Sequence, residues 1–387
     1  MDILFLAHRV AYAPDRGDRI RSYHVLRHLQ RRARVHLIAF ADDRRDVRPP
    51  PAFLRGLASC TIIERRKSRA RALTEALLTG QPASLTAFAD HMMRDAVERA
   101  MALYPIGACY AFSGQMAPYL PGGVIRVMDF VDADSAKFAA YAAADRGARR
   151  WLLAREARLM AAYERRIIAQ VDHALAVSAE EAALLPGATV LENGIDAAYF
   201  TPEESIAGRS DRNEAGGEAP LIVFTGQMDY RPNVEAVAMF ERDVLPQIPC
   251  ARFAIVGRAP TGTVRALASE RVIVTGEVPD VRSWLSRAAV VVAPLTIARG
   301  VQNKVLEAMA MARPVVATPA AAEGIDHAGA IAIADTPATL AATINVLLND
   351  RARAERLGAA ARRQVLARYD WQQRLAPLDA MLGLAAA

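Results

Sequence analysis

The run Val290-Val291-Val292-Ala293-Pro294-Leu295-Thr296-Ile297-Ala298-Arg299-Gly300-Val301-Gln302-Asn303-Lys304-Val305-Leu306-Glu307-Ala308-Met309-Ala310 decides the fold. Its first four residues are apolar without alternation, the pattern of a strand buried on both faces of a parallel sheet. A glycine-containing loop follows, and then a helix start. In parallel α/β sheets, ligands bind outside the carboxyl ends of the strands, where such loops lie. The helix start offers free backbone N–H groups and a partial positive end, a natural seat for a diphosphate. Gly300 lets the backbone approach closely. Arg299 and Lys304 add charge, each worth about 1–3 kcal/mol in a hydrogen bond to a charged group. Glu307, one turn inside the helix, can accept two hydroxyls, as from a ribose. A glycine and a lysine before a helix are common together, so the neighbouring segments carry the weight.

Working outward, strands are expected at 221–225, 252–256, 272–275, 290–293, 315–317 and 330–334, with helices between them. The first half shows the same alternation. Strands are expected at 3–7, 35–40, 108–111, 124–128, 174–178 and 189–191, and helices at 20–32 and, long or broken, at 136–170. Between the halves, residues 203–220 are polar and charged, with Gly208, Gly216 and Gly217, which is linker chemistry. A chain of 387 residues exceeds one ordinary core. The expected organisation is an N-terminal α/β domain at 1–200, a polar linker at 201–220 and a C-terminal α/β domain at 221–368. An amphipathic end at 369–387 either packs on the second domain or crosses back to the first.

Composition narrows the function. At 53% hydrophobic and 23% charged residues, the chain is globular rather than disordered. Cys60, Cys109 and Cys250 are widely separated with no C-x-x-C pair, so a disulfide framework or zinc site is not expected. The apolar run 3–7 lacks a basic leader and is too short for a signal peptide, and nothing approaches the roughly 20 apolar residues of a membrane span. The expectation is a cytoplasmic protein. Residues 1–190 hold 28 Lys and Arg against 20 Asp and Glu, whereas 191–387 hold 20 against 22, so the basic excess sits in the first half. Its densest piece, Arg65-Arg66-Lys67-Ser68-Arg69-Ala70-Arg71, reads either as a solvated loop and helix start or as a contact for an anionic membrane surface or acidic acceptor. Nucleic acid has no supporting motif. No G-x-G-x-x-G follows a strand at the right place, which argues against a nicotinamide-dependent oxidoreductase.

Further segments join the opening run. Asn193-Gly194-Ile195-Asp196 precedes Tyr199-Phe200-Thr201-Pro202. Phe224-Thr225-Gly226-Gln227-Met228-Asp229-Tyr230-Arg231-Pro232-Asn233 opens the second domain. Ile255-Val256-Gly257-Arg258 and Thr275-Gly276-Glu277-Val278-Pro279-Asp280 end strands, and Arg313-Pro314-Val315-Val316 and Glu323-Gly324-Ile325 follow the helix. Together these resemble the glycosyltransferase family 4 enzymes of GT-B fold, which have two Rossmann-like parallel-sheet domains facing a cleft. The likeness spans nearly the whole chain and is strongest from Asn193 to Ile325. The segments Arg16-Gly17-Asp18-Arg19-Ile20-Arg21-Ser22-Tyr23 and Met128-Asp129-Phe130-Val131-Asp132-Ala133-Asp134-Ser135 look like the sugar transferases found with bacterial exopolysaccharide and PEP-CTERM sorting systems.

The resemblance implies a retaining, metal-independent hexosyltransferase. It would take a nucleotide-sugar donor and a glycan or lipid-linked acceptor, without cofactor. It implies that Glu307 holds the ribose, Gly300 gives its N–H to the diphosphate or sugar, and Lys304 neutralises the diphosphate. Val278 would lie in the base-holding loop, and Gly17 in the glycine loop beside the leaving phosphate. Gly226 and Asn303 belong to the same donor set. Two departures stand out. Arg299 occupies the position of the first glutamate of the family's E-x7-E motif. Gln227 and Pro232 occupy those of the usual arginine and lysine after the second domain's first strand. Arg231, Arg258, Arg299 and Lys304 are the candidates to supply the phosphate charge. Asp132 is the candidate acid near the acceptor, with Asp129 and Asp134 close by, although Asp before Ser135 and an alanine-rich run is also good helix-capping chemistry. His8 follows the first strand and is a further candidate. Trp151, Trp284 and Trp371 fit apolar helical positions of a core. The competing readings are a GT-B nucleotide-sugar epimerase and a non-catalytic scaffold of polysaccharide assembly.

Overall fold

The structure, a computed structural model, describes residues 1–14, 17–42, 46–202, 219–298 and 301–384. The chain divides into two compact units, Met1–Asn193 with Gln372–Ala387, and Gly194–Trp371. Arg299, Gly300 and most of the 203–220 stretch lie outside the described residues.

The first unit holds a seven-stranded parallel sheet. Its strands are β1 (Asp2–Ala7), β2 (Arg34–Ala41), β3 (Leu57–Glu64), β4 (Ile106–Phe112), β5 (Ile125–Val131), β6 (His173–Ala176) and β7 (Thr189–Val190), in the order β3-β2-β1-β4-β5-β6-β7. The central strand β1 pairs with β2 from Asp2↔Arg34 to Ala7↔Ala39 and is buried along its whole length, which is why its sequence is continuously apolar. The edge strand β3 was not expected from the sequence. It is half exposed and runs into the arginine cluster, so neither periodicity nor flanking residues mark it. The helical region expected at 136–170 is two helices, Asp134–Ala144 and Gly147–Ile168, broken where Gly147 takes φ +62°. Trp371 is buried, but Trp151 is 60% exposed and outside the core expected for it. The basic cluster is largely neutralised locally: Arg65 pairs with Asp42, Arg66 with Glu64 and Lys67 with Glu75. From Gln372 the chain belongs to the first unit, where Asp379 meets His28 at 2.9 Å and Arg374 meets Glu192.

The second unit holds a six-stranded parallel sheet. Its strands are β8 (Leu221–Thr225), β9 (Arg252–Val256), β10 (Val272–Gly276), β11 (Val290–Ala293), β12 (Val315–Ala317) and β13 (Ala332–Ile333), in the order β10-β9-β8-β11-β12-β13. The six expected strands all form. Both sheets thus follow the doubly wound pattern, with the order reversing between β1 and β4 and between β8 and β11. The core of the second unit is one cluster running from the β8 residues Ile222, Val223 and Phe224 through Val305, Leu306 and Met309.

Candidate active site

At a reversal point, the loops leaving the two central strands diverge and open a crevice at their carboxyl ends. In the second unit those loops are 226–230 after β8 and 294–302 after β11. They deliver Gly226 and Asn233 on one side and Lys304 on the other. The helix Arg231–Met239 carries Asn233 in its first turn, and the helix Asn303–Ala310 begins with Asn303 and Lys304. Gln302 does not cap the latter with its side chain. Its first amides can therefore receive an anion.

Lys304 Nζ donates to Asn233 Oδ1 at 2.6 Å and lies 4.3 Å from the centroid of the Phe224 ring. Asn233 is 5% exposed, and its Nδ2 donates to the Gln227 carbonyl at 2.9 Å. Glu307, one turn on, shares the Lys304 face of the helix. Both ionisable side chains keep some accessible surface yet are closely surrounded by protein. Burial lowers the Lys304 ammonium to about 7, against the partial opposition of Glu307, and burial raises the Glu307 carboxyl to about 7, against Lys304. The site thus holds a cation short of counter-charge, a condition that an anionic ligand relieves.

Close backbone approach makes this crowding possible. Gly257, at φ +151°, sits against the Gly226 carbonyl so tightly that a Cβ would fall 1.7 Å from that oxygen. A Cβ on Gly226 would lie 2.8 Å from Asn233 Nδ2 and 3.3 Å from Lys304 Nζ. Arg258 Nη2 donates to Gln227 Oε1 at 2.8 Å, and Gln227 Nε2 to Asp229 Oδ1 at 2.6 Å. Arg258 therefore braces the same loop as Asn233. Arg231 is turned to solvent and paired with Glu235, apart from this group. Val278 is half-buried against the core in the loop after β10. Arg299 and Gly300, expected beside Lys304, lie outside the described residues.

The first unit builds a second polar centre. The guanidinium of Arg21, fully buried on the helix Gly17–Gln30, donates through Nε to Asp129 Oδ2 at 2.7 Å. Its Nη1 donates to the Leu191 carbonyl at 2.7 Å and to Asn193 Oδ1 at 2.9 Å. Tyr110 donates its hydroxyl to Asp129 Oδ2 at 2.5 Å; burial and then the charge of Asp129 hold that proton on. Asp129 Oδ1 accepts from the Val131 amide at 3.1 Å, and Val131 takes φ +68°, a strained conformation for a β-branched residue. The pairing of β5 with β6 slips at this point, and the next residue, Asp132, is set out toward solvent. The Asp132 residue keeps accessible surface, yet protein crowds its carboxyl, which is raised to about 6 by the partial loss of solvent first and then by Glu181. Gly17 opens the Arg21 helix. His8 is buried and stacked on Phe112.

Asp134 does not cap its helix. Its carboxylate accepts from Gln115 and Lys137. The helix start is instead covered by acids from elsewhere, with Glu181 accepting from the Ala133 amide and buried Glu164 from the Ser135 amide and hydroxyl. Asn233, Arg21, Tyr110, Glu164 and Glu181 were given no role from the sequence, and Gln227 was noted only as standing where the resemblance has an arginine. Only Asn233 carried a signal there, as an amide directly after Pro232 at a helix start behind a sheet loop. Among the described residues, no three His, Cys, Asp or Glu side chains are grouped to hold a metal ion. Nor is any helix long and apolar enough to cross a membrane.

The fold is GT-B, and residues 219–350, which contain the Lys304 site, match the family model described as Glycosyl transferases group 1. LpcC, a lipopolysaccharide core biosynthesis mannosyltransferase of Rhizobium leguminosarum bv. viciae, is 25% identical over 236 residues, covering 57% of this chain and 66% of that protein. A phosphatidyl-myo-inositol mannosyltransferase of Propionibacterium freudenreichii subsp. shermanii is 30% identical over 158 residues, 39% of each chain. The chain spans less than two thirds of the length of these curated relatives. The crystal structure of HepE from Anabaena in complex with UDP and glucose is similar over 99% of both chains, with a TM-score of 0.70 at 15% identity.

Proposed function

We propose that the chain is a retaining, metal-independent hexosyltransferase of glycosyltransferase family 4 type. It moves a sugar from a nucleotide-sugar donor to a glycan or lipid-linked acceptor in exopolysaccharide synthesis, at the cytoplasmic face of a membrane. The reading is carried by Lys304, an under-compensated cation at an uncapped helix start, bonded to Asn233 and followed by Glu307 at the β8/β11 reversal. The two mannosyltransferase relatives and a neighbour with bound UDP and glucose support the same class of chemistry.

Breaking the anomeric bond builds positive charge on the sugar ring and negative charge on the leaving diphosphate. Lys304 and the helix amides stabilise the diphosphate, and Arg299 and Gly300 remain the candidates that the sequence offers for the same task. A preorganised donor of this kind is worth about 2.7–4 kcal/mol. The leaving phosphate takes the acceptor's proton on the same face, so no covalent nucleophile is needed. Glu307 receives the ribose hydroxyls, and Asp132 serves the acceptor side. Trapping of a glycosyl-enzyme, or activity abolished by EDTA and restored by Mn²⁺, would overturn this route.

A thermal-shift panel of UDP-, GDP- and ADP-sugars tests the reading. A ligand at 100 times its Kd stabilises by about 2.7 kcal/mol, a shift of roughly 5–10 °C for a unit of this size. A panel in which no nucleotide sugar moves the transition would sink it. Mannosyl donors are the first arm, given the relatives.

Donor binding is also proton-linked, with a definite sign. Below about pH 7 Lys304 is already charged in the free site; above it, where Glu307 has already lost its own proton, binding must first recruit one for the lysine. Affinity is therefore expected to fall as pH rises through 7, approaching tenfold per unit. Calorimetry at pH 8 in two buffers of different ionisation heat should report uptake of close to one proton. Binding heats that are the same in both buffers would contradict this.

A further inference from the structure

The side-chain amide of Asn233 links Lys304 to the loop that leaves β8. Its orientation follows from its partners: an ammonium can only donate and a backbone carbonyl can only accept, so Oδ1 faces Lys304 and Nδ2 faces Gln227. Asn233 itself is anchored by its amide to the Tyr230 carbonyl at 2.9 Å and is almost fully buried, so its side chain has little freedom. A Cβ at Gly226 would press on the Asn233 amide at 2.8 Å and lie close to Lys304 Nζ at 3.3 Å. Phe224, which ends its ring beneath the ammonium, belongs to β8, the strand that launches the same loop. Lysine has four rotatable side-chain bonds and could otherwise settle on Glu307. One uncharged, buried acceptor fixes the ammonium without cancelling its charge, leaving its remaining N–H donors for a ligand.

We propose that Asn233 is a positioning residue for the donor diphosphate: it holds Lys304 at the reversal point and couples it, through the Gln227 carbonyl, to the loop 226–230. This rests on the donor-binding reading of the Lys304 site and adds a residue to it. The neutrality of the amide matters. A carboxylate in its place would hold the lysine in the charged form, yet repel the diphosphate. Among the described residues, the charged groups around this part of the site are Glu307 on the lysine's own helix, and Asp229 and Arg258 on the loops tied to Gln227.

The test is a double-mutant cycle with Asn233→Ala and Lys304→Ala, read as affinity for the nucleotide sugar that the panel selects and for inorganic pyrophosphate. Asn233→Ala alone should weaken both ligands about tenfold, and in the Lys304→Ala background it should change them less than twofold. Effects that simply add, or unchanged affinity in Asn233→Ala, would overturn the proposal. Asn233→Asp, nearly isosteric, keeps the test open if the alanine variant does not fold. It should weaken pyrophosphate binding at pH 6.5 and move the alkaline loss of affinity upward by a unit or more. A pH profile identical to that of the parent protein would count against a positioning role. Failure of the donor-binding reading looks different: wild-type protein binds neither ligand, and Lys304→Ala changes nothing.

Discussion

Lys304→Ala should lower kcat/KM for the nucleotide-sugar donor by about 10²–10³-fold while leaving the unliganded protein folded. The loss corresponds to removing one preorganised charge from a diphosphate whose negative charge grows as the anomeric bond breaks. It should appear in both parameters, because the lysine meets the diphosphate in the ground state and more strongly in the transition state. Stability should move little. Burial pushes the ammonium down to about 7 in the free protein, so the native fold holds this group at a cost that alanine removes, while Asn233 loses one hydrogen bond and Glu307, without the lysine's charge, is held further toward its neutral form. Steady-state kinetics beside a thermal melt without ligand separate the two. Turnover and donor affinity equal to those of the parent would end the assignment of Lys304 to the diphosphate.

The parts of this site that sequence reasoning found are those where backbone and side chain obey local rules. Continuous apolar runs such as Val290–Ala293 mark strands buried on both faces, and the loop and helix start that follow locate Lys304 and Glu307 within one short stretch. What it missed depends on distant partners. Asn233 and Lys304 are 71 residues apart, and nothing local says that an exposed-looking amide will close on an ammonium. Arg231 stood among the candidates for the phosphate charge, yet one helical turn places Glu235 in reach and the pair stays at the surface. Asp134 likewise had the right context for a cap. The helix instead starts one residue too early for its carboxylate to reach back, and Glu164 and Glu181 cover the amides. The edge strand β3 shows the same limit, since a half-exposed strand has no continuous apolar run to announce it.

The glycines divide in the same way. Gly257 is legible only in part: a glycine after a strand signals a turn, but its need for φ +151° and its contact with the Gly226 carbonyl arise from a second strand's loop. The loops leaving the neighbouring strands β8 and β9 are therefore fitted to one another.

Arg21→Met should destabilise the first unit by about 3–5 kcal/mol, the largest effect expected of any substitution outside the donor site. Removing one partner of a fully buried ion pair leaves the other charge without compensation. Among the described residues, Asp129 would keep the Tyr110 hydroxyl and the Val131 amide. Arg21 also closes hydrogen bonds to the Leu191 carbonyl and Asn193 Oδ1, so the last stretch of chain before the second unit loses its anchor at the same time. The strained Val131 is held by Asp129, and with that carboxylate displaced the turn that presents Asp132 should relax. Denaturant titration gives the energy. Amide hydrogen exchange gives the place, with protection expected to fall in Gly17–Gln30 and Ile125–Val131 while Leu221–Thr225 is unchanged. Replacing the whole group, Arg21→Met with Asp129→Leu and Tyr110→Phe, should recover most of the stability, because no buried charge or unpaired hydroxyl remains. The recovered variant should still bind donor through the second unit but should turn over poorly. A single Arg21→Met substitution costing under about 1 kcal/mol would mean that the buried network does not hold this unit together.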